Sequence, residues 1–256
     1  MPSLPGLDKL LHIIQDIAQG NYSNDIMELT GPDQPRELRL MAEAMAMMMV
    51  KVEAREFRLE NMADELRALN QDLKQQALAT VEAMVSAMGA RDEYTMGHGQ
   101  RVGDLAASLA RKAGLNNSQV EEVRTAGILH DVGKIGFSDK VFQNEDTIPS
   151  PELLSEIHTH PERGAAILEG LDFLGPMREY VLYHHERPDG RGYPFGLKGD
   201  DIPLGARIIS VADVYDALTT DRPYQKGKSR QEAVDILDRL AGSGLDADLV
   251  RAFKEI

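Results

Sequence analysis

Two short segments constrain this chain more than anything else in it: Leu129-His130-Asp131-Val132-Gly133-Lys134, and His184-His185-Glu186-Arg187-Pro188-Asp189-Gly190-Arg191-Gly192-Tyr193-Pro194. His130-Asp131 closes the apolar run Gly127-Ile128-Leu129, so the end of an otherwise buried helix delivers an imidazole and a carboxylate. Burying both without a partner costs several kcal/mol, whereas a divalent metal satisfies them together. Adjacent histidines, a His-Asp pair, a lysine and a glycine-rich loop form the inventory of a metal site that handles phosphate.

Composition narrows the chemistry. The chain has no cysteine, which excludes disulfides, zinc-thiolate sites and thiol nucleophiles and leaves histidine and carboxylates for metal binding. A donor set of this kind suits iron or manganese better than zinc. The net charge of −14 repels a long nucleic acid, but a small anion can still be held at short range by bound cations and a few basic side chains. With 42% hydrophobic residues the chain can build a conventional core. The longest apolar-looking stretch, residues 41–52, is broken by Glu43 and Lys51 and falls short of the roughly 20 residues that span a bilayer. Met1-Pro2-Ser3-Leu4-Pro5 does not read as a signal peptide. The expectation is a cytoplasmic protein, attached to a membrane only if a segment upstream is missing.

The pattern predicts an all-α protein. Leu7, Leu10, Leu11, Ile14 and Ile17 mark a short amphipathic helix ending near Gly20, and residues 21–35 read as a connector. From there Leu38, Met41, Met45, Met48, Val52, Leu59, Met62, Leu66, Leu69 and Leu73 recur at alternating steps of three and four, interrupted only by Arg55. That period belongs to a left-handed coiled coil, with a homodimer as its natural form. The alternative is a long helix packed within its own monomer. Beyond residue 79 the heptad is lost but helical spacing continues through segments near 102–114, 120–129, 151–157, 161–168, 177–185, 208–219, 230–240 and 245–253. Residues 186–203 form one long ordered loop, and no alternation is long enough for a sheet.

The histidines sort by their surroundings. His12, beside Leu11 and Ile13, reads as packed or solvated with no catalytic role. Of His158 and His160, one suits a ligand and the other a supporting or surface position. His98, His130 and Asp131 favour a ligand role. His184 and His185 diverge by about 100° on an ideal helix, so they can reach two metals or two sides of one cluster. Asp213 is a carboxylate within the otherwise apolar run Ile208-Ile209-Ser210-Val211-Ala212-Asp213-Val214. Asp216, three residues on, lies on nearly the same face and is the best candidate to support a ligand.

In order along the chain these residues form His130-Asp131-x-Gly133-Lys134, His160-Pro161-Glu162-x-Gly164, His184-His185-Glu186, Asp189-Gly190-x-Gly192-Tyr193-Pro194, Ala212-Asp213 and Arg222-Pro223-Tyr224. The region resembles the HD-GYP family of cyclic di-GMP phosphodiesterases, a branch of the HD metal-dependent phosphohydrolases. Residues 17–23 and Arg36-Glu37-Leu38 are similar to a HAMP signalling module. The resemblances imply an HD-type helical bundle over 81–256, a coiled-coil linker over 56–80 and a HAMP-like helix pair over 1–55. They imply the metal ligands His98, His130, Asp131, His160, His184, His185 and Asp213, with Asp131 bridging two divalent ions. A third ion in some family members uses a glutamate where this chain has Tyr94. Lys134 and Arg222 are implied as phosphate contacts for a cyclic dinucleotide, and the paired ions as the source of hydroxide that attacks phosphorus. Gly192, Tyr193 and Pro194 are implied to shape the substrate cleft and to face a regulatory or diguanylate-cyclase-type partner; the alternative is that this loop only braces the site. A receptor without hydrolysis, and a phosphodiesterase for another cyclic dinucleotide such as 3′,3′-cGAMP, stand as alternative functions.

Overall fold

Helix-forming spacing and well-placed caps dictate the architecture. The computed structural model describes residues 6–22, 24–89, 97–142, 150–221 and 226–256, and among these the regular structure is helical, with two isolated bridges, Asp189 to Lys198 and Ala241 to Leu245. The chain divides into two compact units, Met1–Leu73 and Lys74–Ile256, and each has its own apolar core.

In the first unit, α1 (Leu7–Ala18) and a 3-10 segment (Asn24–Thr30) pack with the first turns of α2 (Arg36–Gly89). Leu10 and Ile13 join Ile26, Leu29, Leu38, Ala42 and Met49 in one buried cluster. The expected face of α1 needs correction here, because Ile13 is buried whereas Leu11 and Ile14 are 50% and 38% exposed. Apolar residues lie on two sides of α1, and Ile26 and Leu29, inside the segment that reads as a connector, decide which side is covered. Helix α2 runs 54 residues without a break, so the expected divisions at 55 and 80 lie within it. Its heptad stripe at Met41, Met48, Leu59, Met62, Leu66, Leu69 and Leu73 is 50% to 65% exposed.

In the second unit, α3 (His98–Lys112) and α4 (Asn117–Leu129) are followed by α5 (Asp139–Phe142), α6 (Pro151–Ile157), α7 (His160–Ile167) and α8 (Met177–Tyr183). The loop of residues 186–203 then leads into α9 (Leu204–Thr219), α10 (Arg230–Leu240) and α11 (Ala247–Phe253). Helix α4 begins at a reciprocal cap between Asn116 and Gln119, α6 at Ser150 followed by Pro151, and α10 at a second reciprocal cap between Ser229 and Glu232. Val102, Ala106 and Leu109 of α3, Val123 and Leu129 of α4, and Ile208, Ile209 and Ala212 of α9 fill the core.

The contact between α3 and α4 positions two histidines. A Cβ at Gly103 would lie 2.7 Å from Ile128 Cγ1 and 2.8 Å from the Arg124 carbonyl oxygen, and one at Gly127 would lie 2.9 Å from Gly103 Cα. The two helices therefore touch backbone to backbone. This sets the start of α3 beside the end of α4, with the rings of His98 and His130 5.2 Å apart. Among the described residues, no helix is long and apolar enough to cross a membrane.

Candidate metal centre

The last carbonyls of a helix have no partner within it, and this chain spends three of them on histidines. Nδ1 of His130 lies 2.7 Å from the carbonyl oxygen of Gly127 in the last turn of α4. Nδ1 of His160 lies 2.7 Å from that of Ile157, the final residue of α6. Nδ1 of His184 lies 2.7 Å from that of Val181 in the last turn of α8. A carbonyl can only accept, so each Nδ1 carries the proton and each Nε2 presents a lone pair. Helix C-termini also favour nearby positive charge.

The Nε2 atoms point inward. Ligating atoms of His98, His130 and Asp131 lie within 4.8 Å of one another, and so do those of His160, His184 and His185. Asp131 faces both groups: Oδ2 is 3.8 Å from His98 Nε2 and 3.4 Å from His130 Nε2, while Oδ1 is 3.4 Å from His160 Nε2. Asp213 joins the first group, its Oδ1 3.2 Å from His98 Nε2 and 3.8 Å from His130 Nε2. All seven expected positions are thus brought together. His98 Nδ1 donates to Asp216 Oδ2 at 2.7 Å, the supporting contact expected from the spacing of Asp213 and Asp216. Arg101 grips the same carboxylate through Nε at 2.6 Å and Nη2 at 3.0 Å. Sequence reasoning missed Arg101, although it stands three residues after His98 as Asp216 does after Asp213.

Burial works against charge throughout the centre. It pulls His160 down to about 4 and His185 down to about 3, and it holds His184 well below its ordinary value. At His98 burial also opposes the proton, but hydrogen bonds to Asp213 and Asp216 outweigh it and raise the group to about 9. Burial pushes Asp131 and Asp213 upward; Lys134 and the nearby imidazoles overcome it at Asp131, the bond to His98 does so at Asp213, and both carboxyls end below the usual carboxylate range.

These donors fit divalent cations on their own chemistry. His160 Nε2 and His184 Nε2 are 3.3 Å apart, yet both Nδ1 protons are committed to carbonyls. Two facing lone pairs have no proton to share, whereas a cation satisfies both.

The remaining candidates separate clearly. His158 is exposed and stacks on Tyr193 at 4.1 Å, so His160 alone of that pair enters the centre. His12 is exposed, 3.9 Å from Asp16. Lys134 Nζ donates to Asp131 Oδ2 at 2.6 Å. Tyr193 stacks on His185, and Gly192 and Tyr193 line a cavity of about 350 Å³ with His158, His185, Arg187 and Arg191. Pro194 follows Tyr193 through a cis peptide bond. Glu186, also missed, is buried and accepts from the backbone N–H groups of Phe195, Gly196 and Leu197 at 2.7, 3.0 and 3.0 Å. An acid directly before a glycine-rich turn was the available signal. Tyr94 and Arg222, with Pro223 and Tyr224, lie outside the described residues.

The pKa pattern gives a pH signature for the metal-free chain. Unfolded histidines protonate near 6.5, whereas folded His160 and His185 resist protonation down to about 4 and about 3. Between these values the unfolded chain holds more protons, so stability falls as the pH is lowered from 6.5. His98 acts in the opposite sense: the folded chain keeps its proton up to about 9, and that contribution is lost as the pH rises from 6.5 to about 9. Thermal unfolding in the presence of a chelator is expected to give the highest Tm near pH 6.5. A Tm that climbs steadily from pH 6.5 to 9 would contradict the charged His98.

The HD domain family model matches residues 82–249. A cyclic di-GMP phosphodiesterase of Pseudomonas aeruginosa is 40% identical over 163 residues, covering 63% of this chain and 39% of that protein. A 3′3′-cGAMP-specific phosphodiesterase of Vibrio cholerae is 32% identical over 181 residues, covering 69% of this chain and 39% of that protein. The chain thus spans about two fifths of the length of either relative. The crystal structure of a cyclic GMP-AMP-specific phosphodiesterase of Vibrio cholerae shares the fold, with a TM-score of 0.53 and 22% sequence identity over 68% of this chain and 48% of that one. The chain belongs to the HD domain family.

Proposed function

We propose that this chain hydrolyses cyclic di-GMP to linear pGpG, and onward to GMP, with two divalent ions of iron or manganese. The observation that carries the reading is Asp131, whose two oxygens face separate groups of inward-pointing imidazoles. His98, His130, Asp131 and Asp213 would hold one ion, and His160, His184, His185 and the second oxygen of Asp131 the other. Bound there, the cations would make hydroxide available near neutral pH and offset charge on the phosphoryl oxygens. Water adds across one phosphodiester: the bond from phosphorus to the 3′ oxygen breaks, and the product keeps a 5′ phosphate.

The chain's own groups would hold the substrate in place. Lys134, with its ammonium beside Asp131, and Arg222 are assigned to phosphate, the arginine by its two-pronged donor geometry. Gly192, Tyr193 and Pro194 are assigned to the wall of the substrate cleft. Arg191 gives the adjoining cavity positive charge, in keeping with an anionic ligand on a chain of net charge −14, while Arg187 beside it is paired with Asp189. The same loop is the surface we assign to a regulatory or diguanylate-cyclase-type partner. The second reading, hydrolysis of 3′,3′-cGAMP, is favoured by the 32% identity to the Vibrio cholerae enzyme named for that substrate.

Turnover of both dinucleotides with Fe(II) or Mn(II), under reducing conditions, tests these readings against each other. Cyclic di-GMP is expected to be cleaved faster; faster cleavage of 3′,3′-cGAMP would establish the second reading, and binding without cleavage a receptor. His130→Ala and Asp131→Ala are each expected to lower turnover more than about 100-fold, beyond the loss from removing an outer partner of a ligand, with helicity unchanged by circular dichroism. Either variant turning over like the wild type would overturn the assignment.

The HAMP-like helices are assigned to signal input and to a homodimer. The exposed heptad stripe of α2, with Leu66 at 63% and Leu69 at 55% exposure, supports a second copy as its cover. Light scattering should give a dimer for the wild type and a monomer for Leu66→Glu. A wild-type monomer at micromolar concentration would refute it.

A further inference from the structure

Four of the five imidazoles in the centre have a ring nitrogen tied by a hydrogen bond: His98 to Asp216, and His130, His160 and His184 to main-chain carbonyls, each at 2.7 Å. His185 differs. Among the described residues its ring makes no hydrogen bond, and its contacts are with other rings: His160 at 4.9 Å, His184 at 4.0 Å and Tyr193 at 4.7 Å. The tyrosine is nearly parallel to it, at an interplanar angle of 27°. The other face of Tyr193 is covered by His158, at 4.1 Å and 24°. Tyr193 is therefore the middle plate of a three-ring stack whose inner plate is His185.

The backbone holds that plate in register. Tyr193 N–H donates to the His185 carbonyl oxygen at 3.2 Å. Gly192 lies against the same residues, since a Cβ there would come within 2.5 Å of Glu186 Cα and 2.6 Å of the His185 carbonyl oxygen. Glu186, next in the chain after His185, fastens the far side of the loop through Phe195, Gly196 and Leu197. The Gly-Tyr-Pro turn is thus folded back on His185 and locked there.

A histidine that binds a metal ordinarily has its second nitrogen hydrogen-bonded, which fixes the ring and strengthens the ligand. Parallel aromatic stacking supplies a comparable orienting force. We infer that Tyr193 is a positioning residue for His185: its ring, backed by His158, fixes the imidazole plane in place of the hydrogen bond that orients each of the other four. This rests on the reading in which His185 donates to an ion.

The test is Mn(II) binding to the full-length chain after chelator treatment, followed by the loss of the free-ion electron paramagnetic resonance signal, with thermal unfolding as the control for folding. Tyr193→Phe keeps the ring and is expected to bind like the wild type. Tyr193→Leu keeps apolar volume without the plane and is expected to weaken one Mn(II) about 10-fold, as loss of an outer partner does; Tyr193→Ala is expected to do the same. If Leu and Ala variants bind like the wild type while His185→Ala loses affinity, the inference is overturned and the metal assignment stands. If Tyr193→Phe is as weak as Tyr193→Leu, the hydroxyl acts and the inference also fails. If His185→Ala binds like the wild type, His185 is no ligand and the underlying reading falls with it.

Discussion

Imidazole lone pairs aimed at two points on either side of Asp131 are the feature that the rest of the second unit serves. Four of the buried rings give a proton outward, to a carbonyl or to Asp216, and so turn their other nitrogen inward. A divalent cation answers several converging lone pairs at once. In the metal-free chain the fold compensates with protons: His98 stays charged between Asp213 and Asp216, and Lys134 neutralises Asp131. Those positive charges stand where the donor chemistry calls for metal charge. Binding an ion would exchange protons for it, a coupling general to metal sites.

The helix ends explain how so many polar groups can be buried together. The short helices α6 and α8 and the longer α4 each stop near a histidine that caps the last turn. One residue thereby satisfies an orphan carbonyl and turns its other ring nitrogen inward. The backbone contact between Gly103 and Gly127 brings α3 in close enough to add His98, and α9 supplies Asp213 and Asp216 from one face. Core packing and the convergence of these donors are the same event here, because the apolar runs that carry the donors also form the interior.

Much of this was legible in the sequence, since polar residues at the ends of apolar helical runs have few other reasons to be there. His98, His130, Asp131, His160, His184, His185 and Asp213 all converge, and the support of His98 by Asp216 followed from helical spacing. Spacing could not choose between His158 and His160, because the choice depends on which side of the short connection after α6 faces the core. Nor could it choose between Ile13 and Ile14 in α1, where the covering residues Ile26 and Leu29 lie in a segment without periodicity. The part played by Tyr193 was hidden for a related reason: it exists only once the loop of residues 186–203 turns back, and that turn depends on Glu186 gathering three backbone N–H groups nine to eleven residues further on.

The central claim is that the two groups of donors hold two cations with Asp131 between them. Crystals of the full-length chain grown with Mn(II), with diffraction recorded on both sides of the manganese absorption edge, test it most directly. Two anomalous peaks are expected, one facing each oxygen of Asp131. A single peak, or peaks away from that carboxylate, would contradict it.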